Sequence, residues 1–272
     1  QVSSYKLQGA MIPFSHPGKE ILLRRFIMEN ISPTYLELTK EIIQFKSIST
    51  DPAFADECTK TADWLEEKFT ERGFSVETLQ GPTCNPVVVA RYVVDPQLET
   101  VMVYGHYDVQ PATVENGWSS DPFVFTEKEG RLVARGAIDN KGQFMVHVAT
   151  VFDLIEQEAL GYNIVFMIEG NEETGNPDMP ALVREHAALL DCDHIMISDG
   201  ETLKDLPTME LALRGGGNMT VTLTTGKNNL HSGLYGGAVP NATHEMAKLL
   251  ATLFTDDHRV AVEGFYEGEI GR

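Results

Sequence analysis

The sequence predicts an α/β protein: a three-layer α/β/α domain with a mostly parallel sheet, followed by part of a second, α+β domain. Continuous apolar runs, such as Val-Met-Val-Tyr at 101–104, are typical of strands covered on both faces of a parallel sheet. Helical patterns of ten or more residues alternate with these runs, as in three-layer domains. Beyond residue 208 the pattern changes to three consecutive glycines, at 215–217, and a strictly alternating run.

These patterns divide the chain into three parts. Residues 1–31 show no sustained period and are predicted to form an N-terminal arm. Residues 32–207 form the predicted α/β domain. Residues 208–272 form the partial second domain, because one strand, a loop, one helix and a tail are too little to bury a core alone.

The predicted elements follow from caps and periodicity. Ser32 and Pro33 form a cap and first turn, so the first helix begins there. Gly73 ends the second helix, 56–72. The other elements are strands at 74–78, 87–94, 99–104, 162–168 and 194–198, helices at 142–157 and 180–190, and, in the second domain, a strand at 218–225 and a helix capped by Asn241.

Composition excludes several classes of function. The formal net charge of −19 over 272 residues argues against nucleic acid or a membrane surface as a partner, since both attract clustered Lys and Arg. The cysteines, Cys58, Cys84 and Cys192, are odd in number and lack a Cys-x-x-Cys pair, which argues against a disulfide framework or a thiolate zinc site. No run reaches the roughly 18 apolar residues of a membrane span. We therefore expect a soluble, cytoplasmic protein.

A histidine and an aspartate follow the strand predicted at 99–104. Gly105 ends the apolar run, and His106 and Asp108 come directly after it. If the backbone stays extended, these two side chains project to the same side, because side chains alternate along a strand. One of them can then bind a ligand while the other orients it.

Carboxylates follow three further apolar runs that end in the same way. They are Asp139, Glu172, Glu173 and Asp199. In open α/β sheets, ligands bind outside the carboxyl ends of the strands, so these groups are expected to converge on one crevice. One imidazole and several carboxylates without matching basic residues indicate a bound cation.

Five motifs in chain order carry a family resemblance. They are Gly-His-Tyr-Asp-Val-Gln-Pro, Arg-Gly-Ala-Ile-Asp-Asn-Lys-Gly, Glu-Gly-Asn-Glu-Glu-Thr-Gly, Ser-Asp-Gly and Leu-His-Ser-Gly-Leu-Tyr-Gly-Gly. Together they resemble the di-metal metallopeptidases of the aminoacylase and carnosinase superfamily, over residues 32–272. The residues of the first and last motifs are most similar to those of the dipeptidase branch.

The resemblance implies a set of metal ligands. His106 and Asp199 would bind one divalent ion, Glu173 the other, and Asp139 both. The ions implied are two Zn²⁺, with Mn²⁺ as the alternative. The resemblance also implies a cis peptide bond between Asp139 and Asn140.

The resemblance further implies an activity, the hydrolysis of dipeptides or other small peptides by a water that bridges the two ions. Glu172 would be the general base, and Asp108 would orient His106. The second domain would be a lid that pairs two subunits in a homodimer. His231, on the glycine-rich loop of that lid, would act on the substrate in the active site of the partner subunit.

Two features of the family are not found in these residues. Its members have a last metal-binding histidine and an arginine for the substrate carboxylate farther along the chain. Without them, one ion would lack a ligand. A first alternative therefore stays open, a non-catalytic fragment that binds metal and dimerises. Within the enzyme class, the alternative is an N-acyl amino acid deacylase of the same superfamily.

Overall fold

The computed structural model describes residues 31–128, 131–200 and 215–267. Except for Ile31, the predicted arm lies outside these residues. The chain groups into two compact units, Gln1–Thr208 and Met209–Arg272. Among the helices of the described ranges, none is long and apolar enough to cross a membrane.

Among the described residues of the first unit, four helices flank the sheet. Helix α1, Pro33–Ile43, begins as predicted: the Ser32 side chain accepts a hydrogen bond from the Tyr35 N–H, and proline takes the first position, where no N–H is needed. The others are α2 (Ala55–Glu71), α3 (Lys141–Glu156) and α4 (Met179–Glu185). Helix α4 is shorter than the predicted 180–190.

In the part of the chain that the structure describes, the main sheet has five strands. These are β1 (Ser75–Leu79), β2 (Val87–Tyr92), β3 (Thr100–His106), β6 (Asn163–Glu169) and β7 (His194–Ile197), in the order β1-β2-β6-β3-β7. The pairs β1–β2 and β2–β6 are antiparallel, and β6–β3 and β3–β7 are parallel. The α/β class is confirmed; the sheet, predicted to be mostly parallel, has two parallel and two antiparallel pairings.

Apolar side chains cover both faces of the sheet, which explains the continuous runs in the sequence. On one face, residues of α1, α2 and α3 pack with Phe166 and Ile168 of β6. On the other face, Leu182 of α4 packs with Val165 and Met167. The layers are therefore helix, sheet and helix, as predicted.

The parallel pairings decide where the polar residues lie. His106 is in register with Glu169, and Tyr104 is in register with Ile197. Strands β3, β6 and β7 therefore end at the same edge, and the residues after each of them meet there.

A separate hairpin precedes Asp139. Its strands are β4 (Thr126–Lys128) and β5 (Arg131–Val133), which pair with each other in a two-stranded sheet. The run before Asp139 was expected to end at the same edge as the other strands. That expectation is wrong, because β5 belongs to this hairpin.

The second unit has two described helices, α5 (Ser232–Tyr235) and α6 (Ala242–Ala251). Asn241 caps α6 as predicted, accepting hydrogen bonds from the N–H groups of Thr243 and His244. The prediction of a strand at 218–225 is wrong, because these residues form no ladder with any described segment. Alternation shows only that one face can be buried, whereas a strand also needs a hydrogen-bonded neighbour.

Candidate metal centre

His106 lies at the end of β3 with its ring fully buried. Its Nδ1 is 3.0 Å from the Asp108 carbonyl oxygen and 3.2 Å from Asp108 Oδ1. Both atoms are acceptors, so Nδ1 carries a proton and Nε2 faces the opposite way. Asp108, which is also fully buried, therefore fixes the orientation of the ring.

Carboxylates from three other segments surround Nε2 of His106. Asp139 Oδ1 lies 3.0 Å away, Asp199 Oδ2 3.5 Å and Glu172 Oε2 4.0 Å. His106, Asp139 and Asp199 each offer one ligand atom, and these atoms lie within 4.8 Å of one another. The sheet edge thus gathers one imidazole and three carboxylates around one point.

Nε2 is nevertheless a buried polar atom without a hydrogen bond to any described residue. Asp139 Oδ1 lies within ion-pair distance of Nε2 but makes no hydrogen bond to it. A buried polar atom without a partner is costly. A divalent cation between Nε2 and the carboxylates would satisfy it, and imidazole with carboxylate oxygens is a donor set that suits zinc or manganese.

The charges at this site shift several pKa values, among them those of His106 and Glu172. Burial opposes the charged form of His106, but the carboxylates of Asp108 and Asp199 outweigh it and raise the pKa to about 11. Burial, together with the carboxylates of Asp199, Glu173 and Asp108, raises the pKa of Glu172 despite the opposing effect of His106. The field of the site therefore favours positive charge beside His106.

Asp139 reaches the cluster from the turn that precedes α3. The Asp139–Asn140 peptide bond is cis, as the resemblance implied. The next side chain, Asn140, is fully buried; its Oδ1 accepts the His106 N–H at 3.2 Å, and its Nδ2 donates to the Ser198 carbonyl at 2.6 Å. Asn140 thus connects the end of β3 to the segment that carries Asp199.

Glu172 and Glu173 lie in a short 3-10 turn, Glu172–Thr174, after β6. The Asp108 carboxylate accepts the backbone N–H of both residues, each at 3.2 Å. Glu173 does not belong to the group of three ligand residues; its Oε2 accepts a hydrogen bond from Gln110 Nε2 at 2.8 Å. Neighbours in this turn therefore point in different directions.

His231 lies in the second unit, at the N-terminus of α5. It is exposed, and its Nδ1 accepts the Gly233 N–H at 3.0 Å. An accepting Nδ1 places the ring proton on Nε2, so this histidine presents a hydrogen-bond donor.

Several polar residues at the site were not singled out from the sequence. Lys141 is fully buried, and its ammonium donates to the carbonyls of Ile42, at 3.2 Å, and Phe45, at 2.8 Å. The signal for Asn140 and Lys141 was their position beside Asp139, where two polar residues open an apolar helix. Gln110 and Ser49 gave no comparable signal.

Residues 102–265 match the model of the family described as peptidase family M20/M25/M40. The cysteinylglycine-S-conjugate dipeptidase of Corynebacterium striatum is 31% identical over 228 residues, which are 82% of this chain and 50% of the relative. The beta-Ala-His dipeptidase of Homo sapiens is 35% identical over 187 residues, 67% of this chain and 37% of the relative.

A solved structure extends the comparison to the fold. The crystal structure of human carnosine dipeptidase 1 superimposes with a TM-score of 0.68 at 26% identity, covering 92% of this chain and 55% of that one. The chain spans about half the length of the first of these curated relatives.

Proposed function

Because the chain belongs to peptidase family M20/M25/M40, we propose that it binds divalent metal ions at the edge of its sheet and takes part in the hydrolysis of dipeptides. The observation that supports this most directly is the Nε2 atom of His106, which is buried, lacks a hydrogen bond to any described residue and faces three carboxylates. No other described residue combines a buried imidazole with such a cluster.

In this proposal, His106, Asp139 and Asp199 hold one ion, and Asp139 and Glu173 hold a second. Zn²⁺ is the first candidate and Mn²⁺ the second, on the chemistry of the donors. When bound, a pair of such ions polarises a carbonyl and lowers the pKa of water. The roles of the remaining residues follow from where they stand around the ligands.

Glu172 is the proposed general base. Its Oε2 lies 4.0 Å from His106 Nε2, so it borders the ligands without belonging to the three-residue group. A raised pKa makes a carboxylate a better acceptor near neutral pH. Glu172 takes a proton from the attacking water and returns it to the leaving amine nitrogen as the C–N bond breaks, so its charge is restored at each turnover.

His231 is the proposed stabiliser of the oxyanion. Its Nε2–H is free to donate because Nδ1 accepts the Gly233 N–H, and exposure leaves it accessible to a substrate. A hydrogen bond to a developing oxyanion typically contributes about 2.7 to 4 kcal/mol. We propose that it acts in trans, in a homodimer formed through the second unit.

The names of the relatives indicate the substrate class. One relative is named for cysteinylglycine conjugates and another for beta-Ala-His, both small and dipeptide-like. We propose small free peptides as substrates, with the metal site and the general base supplied by residues of this chain.

Two variants of adjacent glutamates test the proposal. In the full-length protein, Glu172→Gln is expected to lower dipeptide turnover by roughly 10²- to 10⁴-fold with metal content unchanged, because only proton transfer is lost. Glu173→Gln is expected to lose metal, because a ligand is removed. Metal analysis and turnover of Cys-Gly and beta-Ala-His measure both. Equal metal loss in the two variants, or full turnover in Glu172→Gln, would contradict the assignment.

A further inference from the structure

The Asp108 carboxylate binds more than the histidine that it orients. Its Oδ1 accepts the Glu172 N–H and its Oδ2 the Glu173 N–H, each at 3.2 Å, while Oδ1 also lies 3.2 Å from His106 Nδ1. One side chain therefore sets the position of the proposed base, a proposed ligand and the buried imidazole. Whatever fixes Asp108 fixes all three.

The shortest hydrogen bond to Asp108 comes from Ser49. The Ser49 hydroxyl donates to Oδ2 at 2.6 Å, from the segment that follows α1. A fully buried carboxylate is costly unless it is hydrogen-bonded, and bonds to a charged acceptor are stronger than neutral ones. Without this hydroxyl, Oδ2 would keep only the Glu173 N–H among the hydrogen bonds of the described residues.

Residues 47–49 are themselves held against the segment that carries Asp108. The Ser47 carbonyl accepts the Val109 N–H at 3.0 Å, a backbone bond that does not depend on the Ser47 side chain. Ile48 is buried with Val109 in one apolar cluster. Ser49 therefore reaches Asp108 from a rigid support.

We propose that Ser49 is a positioning residue of the metal centre: its hydroxyl keeps Asp108 in the rotamer that binds the Glu172–Glu173 turn and faces His106. Ser47 provides a contrast within the same segment. It is more deeply buried than Ser49, but among the described residues its hydroxyl donates to a backbone carbonyl, that of Tyr107 at 2.7 Å, and to no side chain. The effect of Ser49 on catalysis rests on the proposed function. Its effect on the position of the Glu172–Glu173 turn does not.

Amide hydrogen exchange of the 272-residue chain tests the anchoring in the presence of a chelator. Ser49→Ala is expected to speed exchange at the Glu172 and Glu173 amides about tenfold or more relative to the Val165 amide in β6. Ser49→Thr, which keeps the hydroxyl, is expected to stay within about twofold of the wild type. Ser47→Ala is expected to leave the ratio to Val165 unchanged. If Ser49→Ala and Ser47→Ala give the same ratio, Ser49 is a packing residue only and the proposal is wrong.

A Co²⁺ titration followed by visible absorption tests the link to the metal. We expect the affinity to fall about tenfold in Ser49→Ala, because Ser49 acts through Asp108 and an outer partner of a ligand such as Asp108 typically contributes 10- to 100-fold. The affinity should be retained in Ser49→Thr and Ser47→Ala. Equal affinity in Ser49→Ala and the wild type would overturn the effect on the metal. If the wild-type chain binds no Co²⁺, the proposed function fails, while the exchange ratios still decide the role of Ser49.

Discussion

His106 and His231 lie in two differently built regions of the molecule. His106 is fully buried at the end of a central strand; its Nδ1 faces Asp108, two residues away, and its Nε2 faces carboxylates from three distant segments. His231 is exposed at the start of a four-residue helix, and the described hydrogen bond of its ring is to the N–H of Gly233, two residues away. Long-range packing therefore positions the first histidine, and a local turn positions the second. A metal ligand needs the fixed position that long-range packing gives. A residue that meets the substrate from a second subunit can be held by a local turn alone.

Core and surface truncations should show this difference in stability. Phe166 is fully buried between aromatic rings such as Phe69, whose centroid is 5.1 Å away, so Phe166→Ala should cost about 3 to 5 kcal/mol of unfolding free energy. Leu249, in α6 of the second unit, is 41% exposed, and Leu249→Ala should change it by no more than about 0.5 kcal/mol. Denaturant unfolding measures both. Comparable losses would mean that the second unit is packed as tightly as the first.

Loss of His231 should affect rate and leave the metal centre intact. In the full-length protein, we expect His231→Ala to lower turnover by roughly 10²- to 10³-fold with unchanged metal content, because one oxyanion donor is removed. Steady-state kinetics with metal analysis measures this. A loss of fold or metal instead would show that His231 only shapes its loop.

Mixing two inactive variants tests delivery in trans. A heterodimer of His231→Ala and Glu172→Gln subunits can combine one intact Glu172 site with the intact His231 of the other subunit. Activity should therefore return on mixing. If heterodimers form and no activity returns, His231 does not act across subunits.

Lys141 should make the stability of the first unit depend on pH. Burial lowers its pKa to about 7, against about 10.4 in an unfolded chain. Below pH 7 the ammonium is charged in both states, and the cost of burying it is fully present. Between about pH 7 and 10.4 the unfolded state binds the extra proton, so the stability of the wild type should rise relative to Lys141→Met, by up to about 1.4 kcal/mol per pH unit.

Urea unfolding of the two proteins from pH 6 to 10 measures this difference. Leu249→Ala is the control, since it changes no ionisable group and should follow the wild type in parallel. A constant difference between wild type and Lys141→Met over the whole range would show that the buried amine keeps its ordinary pKa.

The sequence predicted correctly those segments whose consecutive residues all lie in the same environment. Strands β3 and β6 are covered on both faces, and this produces the continuous apolar runs that predicted them. The residues after these strands were expected at one edge, and the register of His106 with Glu169 places them there. The family resemblance of the five motifs is confirmed by the match over residues 102–265.

The sequence was least informative where the environment comes from elsewhere in the chain. Ser49 contacts a residue 59 positions away, Asn140 one 34 away and Lys141 one 99 away, and no local pattern reports such contacts. The strand predicted at 218–225 failed for the same reason, because alternation does not supply a pairing partner. The run before Asp139 had the composition of a strand but pairs in a separate hairpin.

The central claim is that His106 holds a divalent cation together with Asp139 and Asp199. Metal titration of two histidine variants, one at the site and one away from it, tests this claim. Calorimetric titration with Zn²⁺ or Mn²⁺ would compare the wild-type chain with His106→Ala and with His194→Ala, an exposed histidine near Glu99 that serves as the matched control. We expect His106→Ala to lose more than about 100-fold in affinity, because even outer partners of a ligand contribute 10- to 100-fold. His194→Ala should stay within about twofold of the wild type. Equal affinities for His106→Ala and the wild type would contradict the metal centre.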